Sequence, residues 1–130
     1  MKREQQESLD AVAQLVASIR RGDLAVAGVK ATLEALQSGQ ADVLVMLKDY
    51  PPRQGLRCQG CGCVFEMGDK AGHRCTLCDS ARMRHVDLKE EMLKLAERYS
   101  ASIELVRHSD LLTKLGSVGC LLRYAKPQQA

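Results

Sequence analysis

The sequence has little with which to stack against a flat ligand: among 130 residues there is no Trp, one Phe and three Tyr. Aromatic platforms of the kind that hold single-stranded RNA are thereby disfavoured, and the core must be aliphatic. Long hydrophobic runs are missing too. No segment approaches the ~20 apolar residues of a membrane span, and the opening Met-Lys-Arg-Glu-Gln-Gln-Glu has no apolar stretch of signal-peptide length. A cytoplasmic protein with no membrane partner is the expectation. Nor does one sign of charge dominate: 19 Lys and Arg against 16 Asp and Glu leave +3, which neither requires nor forbids a polyanionic partner. Gly-rich phosphate loops, His-Glu-x-x-His and nucleophile elbows do not occur.

What is present suits one compact domain, since 45% of the chain is apolar and 27% charged. Leu9, Val12, Val16 and Ile19 recur at three- and four-residue steps and predict an amphipathic helix ended by Arg21-Gly22-Asp23. Val26, Val29, Leu33 and Leu36 predict a second, running to Gln37 and stopped by Gly39. The continuous apolar run Val43-Leu44-Val45-Met46-Leu47 reads as a strand covered on both faces. Periodicity returns with a helix through Leu88, Met92, Leu95 and Tyr99, supported by the Glu90–Lys94 spacing, and then a strand around Ile103 and Leu105. One or two helical turns over Asp110–Leu115 and a last strand over Val118–Leu122 complete the pattern. Such alternation predicts an α/β fold, a small mixed sheet sandwiched between helices. Residues 1–52 and 88–130 are assigned to this α-β-α sandwich, and 53–87 to an insertion.

The insertion holds five of the six cysteines and five of the ten glycines, with almost no periodicity of its own. Something other than a core must fold it. Cys58-Gln59-Gly60-Cys61 and Cys75-Thr76-Leu77-Cys78 are two Cys-x-x-Cys pairs separated by thirteen residues. Two residues between thiolates let a tight turn aim both sulfurs at one ion, and two such turns complete a tetrahedral site. Cys58, Cys61, Cys75 and Cys78 are therefore the expected ligands of a structural Zn2+ in a zinc ribbon, with Val64–Asp69 supplying a short strand and its turn. A thiol–disulfide oxidoreductase would need its Cys-x-x-Cys to open a helix after a strand, and neither pair has that setting. Cys63 and His73 are substitute ligands within reach, but using either spoils one of the two equal spacings. Both are read as a spare thiol and a surface histidine.

Catalytic candidates are thin. His85 and His108 have no partner identifiable from sequence, Cys120 sits in an apolar run as a small hydrophobe, and Asp87, Glu90 and Glu91 suit the start of a helix. No enzymatic activity is expected. Arg53, Arg57, Lys70, Arg74, Arg82 and Arg84 outnumber the four acidic residues of the insertion and are the candidate RNA contacts, with a solvated ribbon surface as the plainer reading.

Leu115-Gly116-Ser117-Val118-Gly119-Cys120-Leu121-Leu122-Arg123-Tyr124 resembles the ending of the carboxyl-terminal (third) domain of archaeal and eukaryotic class-1 peptide chain release factors, shared with pelota and bacterial relatives. Gly116, Leu122, Arg123 and Tyr124 match that pattern, whereas Ser117 stands where the second glycine is usual. Leu24–Lys30 and Ala35–Leu44 resemble the opening of the same domain, with Ala27 in place of a common Tyr. The resemblance spans about Leu9 to Tyr124. It implies an α-β-α sandwich related to the kink-turn-binding ribosomal protein fold, in which archaeal members often carry a paired-cysteine ribbon at the position of Cys58–Cys78.

It also implies a role in translation termination or ribosome rescue by protein contacts, because peptide release in the family depends on a Gly-Gly-Gln motif in another domain. Gly39-Gln40 lacks the first glycine. The implied partners are a ribosome-associated GTPase, an ABC-type ATPase, or a separate chain bearing Gly-Gly-Gln. The alternative is an RNA-binding module using the basic ribbon face. Kink-turn relatives read RNA with an Asn-Glu pair and a following Lys, for which this sequence has Lys30-Ala31-Thr32-Leu33. That mode is disfavoured.

Overall fold

The computed structural model describes residues 2–66, 75, 78 and 81–124, with side chains from Leu9 onward. Elements follow in the order α1 (Lys2–Arg20), β1 (Ala25–Ala27), α2 (Val29–Gln37), β2 (Ala41–Leu47), β3 (Gln54–Cys58), β4 (Val64–Glu66), β5 (Met83–Asp87), α3 (Leu88–Arg98), β6 (Ser102–Val106), α4 (Asp110–Lys114) and β7 (Val118–Leu122). Four strands form a mixed sheet ordered β1-β7-β2-β6, with β7 antiparallel to both neighbours and β2 parallel to β6. The other three form an antiparallel sheet ordered β4-β3-β5. Among the described residues no helix is long and apolar enough to cross a membrane.

Strand β2 shows why the first sheet lies in the middle. Leu44, Val45 and Met46 are all wholly buried, though successive side chains point to opposite faces. Leu44 and Met46 join Leu33, Leu36, Met92 and Ala96 of α2 and α3, while Val45 joins Val12, Leu15 and Leu112 of α1 and α4. Helices therefore cover both faces, as the sandwich expectation requires. Each such side chain contributes on the order of 1.5–3 kcal/mol by leaving water, so the sheet could not stand with one face bare. Leu15 of α1 packs closely over Gly119 of β7. A Cβ there would lie 2.7 Å from the Val26 carbonyl oxygen and 2.9 Å from Leu15 Cδ2.

The helix ends follow local chemistry. Asp87 caps α3 by accepting from the Lys89 N–H at 3.1 Å, and Ser109 caps α4 by accepting from the Leu112 N–H at 3.1 Å. Gly116 and Ser117 turn the chain from α4 into β7 with φ of 104° and 69°. Ser117 thus occupies a left-handed conformation that glycine adopts without the Cβ penalty.

Three features depart from the sequence expectation. Val26, assigned to the α2 stripe, lies in β1 against Cys120, because Gly28 at φ 89° breaks the chain before the helix starts. Leu9, the first residue of the α1 stripe, is 50% exposed. The cysteine-rich segment also contains β3 and β5, which its sequence did not announce. Both Gly55 and Leu56 are buried along β3, so the alternation that marks a half-exposed strand is absent.

Candidate metal centre

Strand β3 ends at Cys58, and the chain then folds back on itself through a tight knuckle into β4. The Cys58 N–H donates to the Cys63 carbonyl at 2.8 Å, and the Gly62 N–H donates to the Cys58 carbonyl at 2.8 Å. Gly62 makes this reversal at φ 82°. The Gly60 N–H points at Cys58 Sγ, 3.3 Å away. The Cys61 N–H lowers the Cys58 thiol most, Cys78 and Gly60 add to it, and together they outweigh burial and pull the thiol from 9.0 down to about 6. A thiol so placed is readily a thiolate, the form that binds metal.

The second pair is brought to the first. Cys58 Sγ lies 3.4 Å from Cys78 Sγ, and Cys61 Sγ lies 3.5 Å from Cys75 Sγ. All four sulfurs fall within 4.8 Å of one another. Four sulfurs at ~2.3 Å from a central zinc would stand ~3.8 Å apart, so the cluster is already close to the dimensions of a tetrahedral tetrathiolate site. None of the six cysteines is joined in a disulfide. The four residues chosen from spacing are therefore the four that meet, and they could hold a metal ion. Cys58 and Cys75 are buried while Cys61 and Cys78 are exposed.

Cys63 stays outside the four. Burial pushes its thiol up, and the neighbouring Cys61, Cys75 and Cys58 push it the same way. Its backbone rather than its sulfur serves the knuckle. His73 lies outside the described residues.

Among the described residues, several contacts fasten the ribbon to the sandwich, and the Leu88 N–H donates to the Arg53 carbonyl at 2.7 Å. Gln37, the last residue of α2, donates from Nε2 to the Val64 carbonyl at 3.0 Å and accepts the Val64 N–H on Oε1 at 2.8 Å. Gly55 lies against Leu88, and Val64 and Leu88 belong to the same buried cluster as α2 and α3. Arg57 reaches the buried Glu91 carboxylate at 3.7 Å. The sequence marks Glu91 only as an acid suited to a helix start and Gln37 only as a helix end; neither carries a sign of a partner 34 or 27 positions away.

Of the candidate RNA contacts among the described residues, Arg53, Arg82 and Arg84 are exposed and Arg57 is half-exposed. Arg57 is paired with Glu91, and Arg53 lies over the Tyr50 ring at 5.7 Å. Arg84 is the register neighbour of Arg57, and Arg82 is exposed and offers its carbonyl to the Gln59 N–H. Lys70 and Arg74 lie outside the described residues. A groove of about 610 Å³ at the start of α2 sets Lys30 and Arg53 against Glu34 and Glu66, a balance of charge that gives no preference for an anion.

The remaining titratable candidates are dispersed. His108 faces Asp110 at 3.6 Å with both side chains almost fully exposed, and His85 is exposed. Burial pushes the Cys120 thiol up to about 12. Gln40 is buried and donates to the Tyr124 carbonyl at 3.3 Å, so it is occupied in closing the sandwich.

No protein-family model matches the sequence, and no curated protein matches it. Solved structures do. The C-terminal domain of a peptide chain release factor from Methanosarcina mazei superposes with a TM-score of 0.69 over 96% of this chain and 86% of that one, at 20% identity. Dom34 of S. cerevisiae, described as a translation termination-like factor involved in RNA quality control pathways and interacting with Hbs1, gives 0.57 at 18% identity, covering 94% of this chain and 28% of its own. The chain has the fold of the release-factor C-terminal domain.

Proposed function

We propose that this chain is a non-catalytic docking module of translation termination or ribosome rescue, stabilised by a structural zinc on Cys58, Cys61, Cys75 and Cys78 and acting through protein contacts. The observation that carries the proposal is the extent of the likeness. The release-factor C-terminal domain is matched over 96% of this chain and 86% of its own length, so the likeness spans nearly a whole domain rather than a recurring sheet motif. The relative that interacts with Hbs1 carries the same fold within a longer chain. A ribosome-associated GTPase, an ABC-type ATPase or a chain supplying Gly-Gly-Gln are the partners that fit this reading.

Zinc would contribute folding free energy. Four thiolates close the coordination sphere and leave no position for substrate, unlike a catalytic site with three protein ligands and a water. The non-catalytic reading is supported by the buried, neutral Cys120 and by the exposure of His85 and His108. The protein-docking reading is preferred over RNA binding because acidic neighbours offset the basic residues: Arg57 pairs with Glu91, and Glu34 and Glu66 line the groove beside Arg53.

The test is isolation of the tagged chain from its own growing cells. Ribosomes, a translational GTPase or an ABC-type ATPase should co-purify; recovery of the chain free of all three would contradict the proposal. Binding to ribosomal RNA that weakens linearly in log salt would instead support the RNA alternative.

A further inference from the structure

We infer that Gln37 is a positioning residue for the metal-binding knuckle, so that ion binding at the four thiols and docking of the ribbon on α2 form one coupled equilibrium. The inference rests on the tetrathiolate reading and adds a residue to it. Gln37 belongs to the sandwich, lies 21 positions before Cys58 in the chain and contributes no ligand. Its carboxamide nevertheless makes both hydrogen bonds that a neighbouring strand would make to Val64, at 3.0 and 2.8 Å.

Val64 directly follows Cys63, whose carbonyl receives the Cys58 N–H at 2.8 Å. An unbroken path of short hydrogen bonds and one peptide link therefore joins the end of α2 to a metal-ligating cysteine. Val64 is 3% exposed, so its N–H and carbonyl have little access to water if Gln37 lets go. A buried backbone pair without partners is costly, and the same holds for a knuckle that must form around an ion without its outer support.

Partners that orient metal ligands from outside the coordination sphere typically change affinity by about 10- to 100-fold when removed. Gln37 acts through the backbone rather than on a sulfur, which places its effect at about tenfold, the lower end of that range. Coupling is reciprocal: if the Gln37–Val64 pair favours the ion, the ion must favour the pair to the same degree.

The test uses the whole chain loaded with zinc and titrated with a competing chelator. Gln37→Met keeps the length and helix propensity of the side chain and removes both hydrogen bonds. Its zinc affinity should fall about tenfold. Ser109→Ala, which removes the α4 cap on a part of the sandwich that does not touch the ribbon clamp, should bind zinc as the wild type does.

Hydrogen exchange on the wild type supplies a readout that needs no variant. Stripping zinc should accelerate exchange at the Val64 and Cys58 amides together while Val45 in the central sheet stays protected. Unchanged affinity in Gln37→Met, an equal loss in Ser109→Ala, or Val64 exchange indifferent to zinc would each overturn the coupling. A wild type that binds no zinc would remove the tetrathiolate reading and the coupling with it, whereas a zinc-binding wild type with an unaffected Gln37→Met removes the coupling alone.

Discussion

Replacing Gly55 by alanine measures how tightly the ribbon is pressed onto the sandwich. A Cβ at position 55 would lie 2.6 Å from Leu88 Cγ and 2.8 Å from the Phe65 carbonyl oxygen, where 3.4–4 Å is ordinary contact. Leu88 is wholly buried and cannot swing into solvent, and Phe65 is held by the β3–β4 ladder. Overpacking of this kind costs about 1–3 kcal/mol, and two immobile neighbours put Gly55→Ala near the upper end. With an unfolding entropy of about 0.27 kcal/mol/K for 130 residues, about 3 kcal/mol lowers the melting temperature by roughly 11 °C.

The decisive assay is a double-mutant cycle by urea denaturation at fixed free zinc, which holds the ligand contribution constant. Leu88→Ala alone leaves a cavity and should cost about 2–5 kcal/mol. In the double variant the new methyl enters that cavity. The combined cost should therefore fall short of the sum by about 1–3 kcal/mol. Additive costs, or a neutral Gly55→Ala, would refute the close approach of β3 to α3.

Ser117→Gly should raise stability by up to about 1 kcal/mol in thermal melts by relieving the left-handed strain, with part of the gain offset by the flexibility of glycine in the unfolded chain. Gly116→Ala should lower it, since that residue sits at φ 104° with its would-be Cβ 3.2 Å from the Gly28 Cα. Cys120 is held neutral by burial up to about 12, against 9.0 in the unfolded chain, so the unfolded state loses its proton first and stability falls as pH rises above 9. At pH 10 the wild type should have lost about 1.4 kcal/mol through this thiol, a slope absent from Cys120→Ala in paired denaturation curves. In the folded protein at pH 8, Cys120 should remain unmodified by iodoacetamide while exposed thiols of the metal-free chain react, as peptide mass mapping would show.

Much of this architecture was legible from spacing alone. The run Val43–Leu47 announced a strand buried on both faces, and Leu44, Val45 and Met46 are all wholly buried. The two Cys-x-x-Cys pairs announced the sulfur cluster, because metal geometry imposes a chain spacing as strict as a helix period. Three strands escaped notice for separate reasons. The three-residue β1 is too short to show alternation, and its Val26 fits the α2 stripe by coincidence of spacing. β3 replaces alternation with Gly55 and Leu56, both buried, and β5 carries Arg84 and His85 in the open. The Gln37–Val64 and Arg57–Glu91 contacts were beyond reach, since pairings across 27 and 34 positions depend on how the ribbon is laid on the helices.

Zinc K-edge X-ray absorption on the purified chain, with metal content and thiols quantified on the same sample, tests the central claim most directly. One zinc per chain with a first shell of four sulfurs at about 2.3 Å is expected. A shell containing nitrogen or oxygen, or metal-free protein whose mass shows Cys58, Cys61, Cys75 and Cys78 joined in disulfides, would contradict it.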